Sequence, residues 1–101
     1  ASDLQQLVIH SLMDQAFTAA APPPPGDSTA ALARLLEQYT DLPLEPDTHP
    51  HIRFPHAVGY AANYYAYVYS QSIAGSLWDR HFARDPLCRD SGDLIHRGLL
   101  R

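Results

Sequence analysis

Apolar residues Leu4, Leu7, Val8, Leu12 and Phe17 recur at helical spacing, which predicts an amphipathic helix over about 3–19 with Ser2, followed by Asp3, as its N-cap. The run Ala21-Pro-Pro-Pro-Pro-Gly-Asp27 ends it, because successive prolines lack the amide a helix needs and prefer an extended form. This run reads as a stiff connector in preference to a proline ligand for an adaptor domain. Ser28 then caps a second helix to about 39, with Ala31, Leu32, Leu35, Leu36 and Tyr39 on one stripe. Residues 40–56 are irregular, with four prolines among sixteen residues from Thr40 to Pro55. A long helix is predicted over 60–83. A last one is predicted over 86–100, where Asp85 caps, Pro86 suits the first turn, and Leu94, Ile95 and Leu99 continue beyond a weak point at Ser91 and Gly92. No strand pattern or internal repeat stands out, so the fold class is all-α, in one helical body of 101 residues.

Composition narrows the functions. A net charge of −4, no lysine and seven scattered arginines argue against nucleic acid as a partner. Cys88 is the single cysteine, which excludes an internal disulfide and zinc-finger spacing. No apolar run reaches membrane-spanning length, so no membrane partner is expected. Residues 1–14 carry an early acid and no basic region, unlike a signal peptide. A soluble, intracellular chain is the expectation.

The unusual feature is Phe54–Ser72, which holds five of the six tyrosines. In a helix, Tyr60, Tyr64 and Tyr67 fall within about 60° of one another, with Gln71 and Trp78 on the same stripe. Tyr65, Tyr69, Ala62, Ala66, Ile73 and Leu77 take the opposite side. A helix apolar all round is expected to be buried between layers. For any single tyrosine, packing with a satisfied hydroxyl is the plain explanation. The set has a second reading. Gly59 permits a tight turn or a close backbone approach, and His56 with several phenols then converges at a helix entrance. Neutral donors there suit a carbonyl that becomes an oxyanion.

The stretch Arg53-Phe-Pro-His-Ala-Val-Gly-Tyr-Ala-Ala-Asn-Tyr-Tyr-Ala-Tyr67, continuing through Ser70-Gln-Ser-Ile-Ala-Gly-Ser-Leu-Trp-Asp-Arg-His-Phe82 and Asp85–Leu100, resembles the C-terminal region of the thimet-oligopeptidase family of zinc metallopeptidases. Within it, the likeness is greatest to the branch that processes peptides in mitochondria. The resemblance is specific over about 53–101 and loose over 1–50. It implies an all-α C-terminal part of a larger helical catalytic domain, facing a peptide substrate. By that resemblance Tyr67 and Tyr60 stabilise the oxyanion, with Tyr67 foremost. His56 binds substrate backbone, Gly59 sits in a mobile loop and Tyr64 is a substrate-binding neighbour. It implies zinc in the parent enzyme, mitochondrial matrix as location (the cytoplasm being the alternative), and octapeptide-bearing processing intermediates as the narrower substrate class.

The family's zinc motif, His-Glu-x-x-His, is not in this sequence, whose only glutamates are Glu37 and Glu45. No metal is therefore assigned to the chain, which is expected to be inactive alone and to need the zinc-bearing remainder of the parent. Ala1 and the final Gly98-Leu-Leu-Arg101 read as cut from a longer chain. The alternative is a stand-alone helical module that binds peptides without catalysis. His49-Pro50-His51, with Asp47 and His56 near, is a weak metal candidate, and loop histidines without a role are the stronger reading. His10, His81 and His96 need no special role, and Cys88 beside Arg89 lacks any partner for nucleophilic work. Asp14, Asp41 and Asp47 form no general acid/base pair. A helix as apolar as 60–83, without its partners, predicts self-association of the isolated chain. Sedimentation should therefore find oligomers growing with concentration; a sharp, reversible melt of a dilute monomer would contradict this.

Overall fold

The computed structural model describes residues 2–101. It contains α1 (Asp3–Thr18), α2 (Ser28–Tyr39), a 3-10 turn (Pro50–Arg53), α3 (His56–Gly59), α4 (Ala66–His81) and α5 (Arg89–Leu99), with no strand among the described residues. The fold class is all-α. The chain divides into two compact units, Ala1–Val68 and Tyr69–Arg101, the boundary falling in the first turn of α4.

In the first unit, Ser2 closes a reciprocal cap on α1. The Gln5 amide donates to Ser2 Oγ (3.2 Å) and the Ser2 amide to Gln5 Oε1 (2.9 Å), so two otherwise unpaired donors are satisfied. The connector to α2 turns at Pro24–Asp27, where the Asp27 amide donates to Pro24 C=O (2.9 Å) and Gly26 takes φ +97°. Proline second and glycine third is what a type II turn requires. Ser28, expected as the cap of α2, is instead its first helical residue. Asp27 precedes it without a side-chain cap, because the Ser28 hydroxyl is engaged elsewhere.

The core lies where α1 packs on α2. Ile9, Met13 and Leu32 are buried, with Phe17, Leu35, Leu36, Leu44 and Phe54 packed partly against them. Burying each such side chain stabilises the fold by roughly 1.5–3 kcal/mol. The predicted α1 stripe is displaced. Leu4 is exposed and Leu7, Val8 and Leu12 are half-buried, while Ile9, Ser11, Met13 and Asp14 form the buried face. Apolar residues on all sides of α1 left the choice of face to tertiary contacts. Two polar groups on that face are satisfied by bonding: Ser11 Oγ donates to Leu7 C=O (2.6 Å), and Asp14 binds the segment after α3.

The proline-rich segment is tied to the start of α2 by its histidines. Ser28 Oγ and His51 Nε2 share a hydrogen bond of 2.9 Å, and Thr29 Oγ1 and His49 Nδ1 one of 2.8 Å. These histidines hold the segment in place, which replaces the reading of them as loop residues without a role.

In the second unit, α4 is shorter than the helix expected over 60–83. It starts at Ala66, because residues 60–65 form successive turns, and ends at His81. No α4 residue in that unit is buried; Tyr69, Ile73 and Trp78 are about half exposed or more. The burial expected of a helix apolar all round is not met, since nothing in the unit covers its flanks. Trp78 stacks on Phe82, their rings 6.1 Å apart. The last helix begins at Arg89, later than the predicted 86. Asp85 Oδ1 accepts from the Leu87 amide (3.1 Å) and Asp85 C=O from the Cys88 amide (3.2 Å), so Asp85 and Pro86 form a turn ahead of the helix. Ser91 Oγ donates to His81 C=O (2.9 Å), joining the start of α5 to the end of α4. The Arg89–Asp93 and Arg97–Asp93 pairs (3.2 and 3.9 Å) lie in solvent and contribute little.

Two half-buried histidines of the first unit have lowered pKa values. Burial lowers the His10 pKa from its ordinary 6.5, and burial followed by the neighbouring His49 lowers that of His51. Each folded-state pKa lies below its unfolded value, so the unfolded chain binds more protons in that window and stability falls with falling pH. The contribution is complete above about pH 6.5 and is lost as pH falls through the lower folded values. Urea midpoints measured from pH 7.5 to 5 should fall, and His10→Phe, which keeps a ring on Phe54, should flatten the slope; an unchanged slope would remove His10 from the account.

Candidate functional site

Residues 54–67 wind tightly, which brings their rings together. The one-turn helix α3 closes with the Tyr60 amide donating to His56 C=O (2.8 Å). Three further turns follow: Asn63 N–H to Tyr60 C=O (3.2 Å), Ala66 N–H to Asn63 C=O (3.0 Å) and Tyr67 N–H to Tyr64 C=O (3.2 Å). Ala62 takes a left-handed backbone, φ +63°, costly for a residue with a Cβ. It is held from α1. Asp14, fully buried, accepts the Ala62 amide on Oδ1 and the Tyr64 amide on Oδ2, both at 3.0 Å. Gln15 Nε2 donates to Ala62 C=O (3.2 Å).

His56 sits among three phenols. Its ring centroid lies 4.8 Å from that of Tyr64, 5.2 Å from Tyr60 and 5.9 Å from Tyr67, and Tyr64 and Tyr67 are 5.0 Å apart. The Tyr64 pairs with His56 and Tyr67 are edge-to-face, as the quadrupoles of aromatic rings favour, and the other two are tilted. Tyr64 forms the floor, half-buried and 5.0 Å from Phe54, which stacks on His10 at 5.3 Å. Tyr60 and Tyr67 form the rim, 67% and 51% exposed. The residues expected on one helical face are therefore together, by a different route. Tyr60 lies outside any helix, Tyr64 lies in a turn and only Tyr67 is on α4. Gly59 ends α3 with no left-handed backbone, and a Cβ there would meet nothing within 4 Å, so the fold itself does not require glycine. His56 Nε2 is buried and has no hydrogen-bond partner among the described residues. Leaving such an atom unpaired costs about 1–3 kcal/mol.

Metal chemistry finds no footing in these residues. Among the described residues, no group of three or more histidine, cysteine or acidic side chains could hold a metal ion. His49 and His51 spend a ring nitrogen each on a hydroxyl. A catalytic zinc therefore does not fit this chain's own donor set. Cys88 is half-buried at the head of α5, and the Ser91 hydroxyl and amide lower its pKa.

Sequence reasoning missed Asp14 and Gln15 as parts of the site, and gave His10 and Phe54 no place in it. The signal was faint: Asp14 shares its face of α1 with His10, Met13 and Phe17, an acid among large apolar and aromatic neighbours.

The model for peptidase family M3 matches residues 1–101. The mitochondrial intermediate peptidase of Mus musculus is 35% identical over 100 residues, covering 99% of this chain and 14% of the relative. That of Arabidopsis thaliana is 33% identical over 101 residues, covering 100% and 14%. That of Schizophyllum commune is 34% identical over 100 residues, covering 98% and 13%. The chain thus spans about 14% of the length of the first two relatives. No solved structure matches it.

The floor and rim of the cluster should separate in stability. Tyr64→Ala should cost about 1–3 kcal/mol in urea unfolding, while Tyr60→Ala should stay within about 0.5 kcal/mol. Equal losses would mean that the phenols share one packing role.

Proposed function

The chain belongs to peptidase family M3, and from that membership we propose that it forms the substrate-facing wall of a longer zinc metalloendopeptidase. Zinc and the general base are supplied by the remainder of that protein, which also covers the bare flanks of α4. The observation carrying the proposal is the exposure of Tyr60 and Tyr67 beside His56, with Tyr64 beneath them. Phenols that served packing alone would be buried with their hydroxyls bonded inside. Here two rings offer neutral donors to solvent from a braced backbone.

The chemistry assigned to these residues is donation to a peptide carbonyl whose oxygen gains negative charge as water adds to its carbon. A phenol carries no charge at physiological pH, and its rigid ring leaves little freedom to reorganise. Donors fixed before the reaction are the ones that favour a transition state over its ground state. Tyr67, anchored in the first turn of α4, is the principal oxyanion donor and Tyr60 the second. His56 and Tyr64 hold the substrate backbone. The His56 nitrogen Nε2, buried without a partner among the described residues, is the group offered to that backbone. Gly59 leaves open space in which a peptide backbone can pass. The names of the relatives point to mitochondria, and the matrix is the proposed location, the cytoplasm being the alternative.

A second reading rests on the missing His-Glu-x-x-His motif. The chain then binds extended peptides without cleaving them.

Kinetics of the full-length parent separate the two. Tyr67→Phe should lower kcat by about 10²–10³ with little change in KM, as expected for one lost oxyanion donor. Gly59→Ala should leave the thermal midpoint unchanged and raise KM. Full turnover by Tyr67→Phe would remove the catalytic assignment; peptide binding by the chain with no contribution to cleavage would favour the binding module.

A further inference from the structure

We infer that Asp14 is a positioning residue for the tyrosine wall, acting through the backbone of Ala62 and Tyr64 rather than on substrate. The inference rests on the proposed role of Tyr60 and Tyr67 and adds a residue outside the aromatic motif, some fifty positions upstream of it. Asp14 is fully buried, and each carboxylate oxygen accepts one amide at 3.0 Å, from Ala62 and from Tyr64. Burying a carboxylate is costly unless its hydrogen bonds are fixed and complete. An apolar contact would hold a loop against α1 without that cost, but it would not fix the rotation of individual peptide units. A carboxylate with an amide on each oxygen does.

The peptide units it fixes are the ones that aim the phenols. Ala62 is held in the left-handed region by Asp14 on its N–H and Gln15 on its C=O. The N–H of Tyr64 is held by Asp14, and its C=O accepts the amide of Tyr67 (3.2 Å). A chain of two hydrogen bonds, from the Tyr64 amide to Asp14 and from the Tyr67 amide to the Tyr64 carbonyl, thus joins α1 to the first turn of α4. Within that run the Tyr64 ring meets His56 at 4.8 Å and Tyr67 at 5.0 Å. If the Tyr64 peptide rotates, the Tyr64 and Tyr67 rings shift together relative to His56. A displacement of about 1 Å in a positioning group far from the chemistry can cost about 10²-fold in rate.

Asp14→Asn is the direct test, made in the full-length parent. The side chain keeps its size, but it has one acceptor and sets an NH2 group against the other amide. The expected loss is about 10- to 100-fold in kcat with KM within a few-fold, the size seen when groups that orient catalytic residues are removed. In a Tyr67→Phe background, the same change should cost less than about threefold more, because the two act on one donor. Amide exchange at Ala62 and Tyr64 should speed up in Asp14→Asn, a readout independent of activity. Gln15→Ala, at an exposed position, serves where Asp14→Asn does not fold; it should lower kcat several-fold at an unchanged thermal midpoint.

Normal kcat in folded Asp14→Asn, or losses that add fully to those of Tyr67→Phe, would overturn the inference. So would normal kcat in Gln15→Ala where the first variant is unfolded. Unimpaired turnover by Tyr67→Phe alone would instead overturn the oxyanion role, and the positioning role with it. Amide exchange would still report whether Asp14 braces the loop, so the two failures are told apart.

Discussion

A buried carboxylate is tolerated when each oxygen has a donor and the donors cannot leave. Asp14 meets both conditions by accepting the Ala62 and Tyr64 amides, and the arrangement of residues 60–67 follows from that. The left-handed backbone of Ala62 is strained alone and persists because hydrogen bonds from α1 hold it on both sides. Tyr64 is thereby directed onto Phe54 and His10, and its ring becomes the floor on which His56, Tyr60 and Tyr67 assemble. Local turns alone would leave that segment free to repack.

The first unit is otherwise built from a small apolar core and polar fastenings. Ile9, Met13 and Leu32 are few for the length of chain they organise. The irregular segment before α3 adds its own ties through Ser28–His51 and Thr29–His49. Those fastenings place Phe54 over His10, which in turn supports Tyr64. The aromatic site thus draws on core, segment and carboxylate at once. The second unit has no buried residue, and its helices are joined by Ser91 on His81. An apolar helix left that bare is suited to being one layer of a larger body.

What was legible in the sequence was what local chemistry decides. Ser2 with Gln5 makes its cap within one turn, four prolines stop α1, and Ala31 and Leu32 face the core as their spacing predicts. The family was legible too, because the order of His56, Gly59, Tyr60, Tyr64 and Tyr67 survives in the chain irrespective of its conformation. What tertiary contacts decide was not legible. Ser28 has the chemistry of a cap, yet its hydroxyl bonds His51, twenty-three residues away. Residues 60–65 have helical composition, yet Asp14 captures two of their amides from α1. The tyrosines meet because of that capture, so residues that helical periodicity would place on one face lie together without forming one helix.

The task proposed for this chain is to hold neutral donors where charge develops on a peptide oxygen. A phosphinic peptide, whose tetrahedral phosphinate copies that oxygen, tests it most directly. Its inhibition constant should be measured on the full-length parent and its Tyr67→Phe form, beside the affinity of an uncleaved substrate-like peptide. The phosphinic peptide should lose about 10²-fold or more while the uncleaved peptide changes a few-fold, because the hydroxyl serves the charged geometry. Equal changes for both ligands would make Tyr67 an ordinary binding contact and remove its role as oxyanion donor.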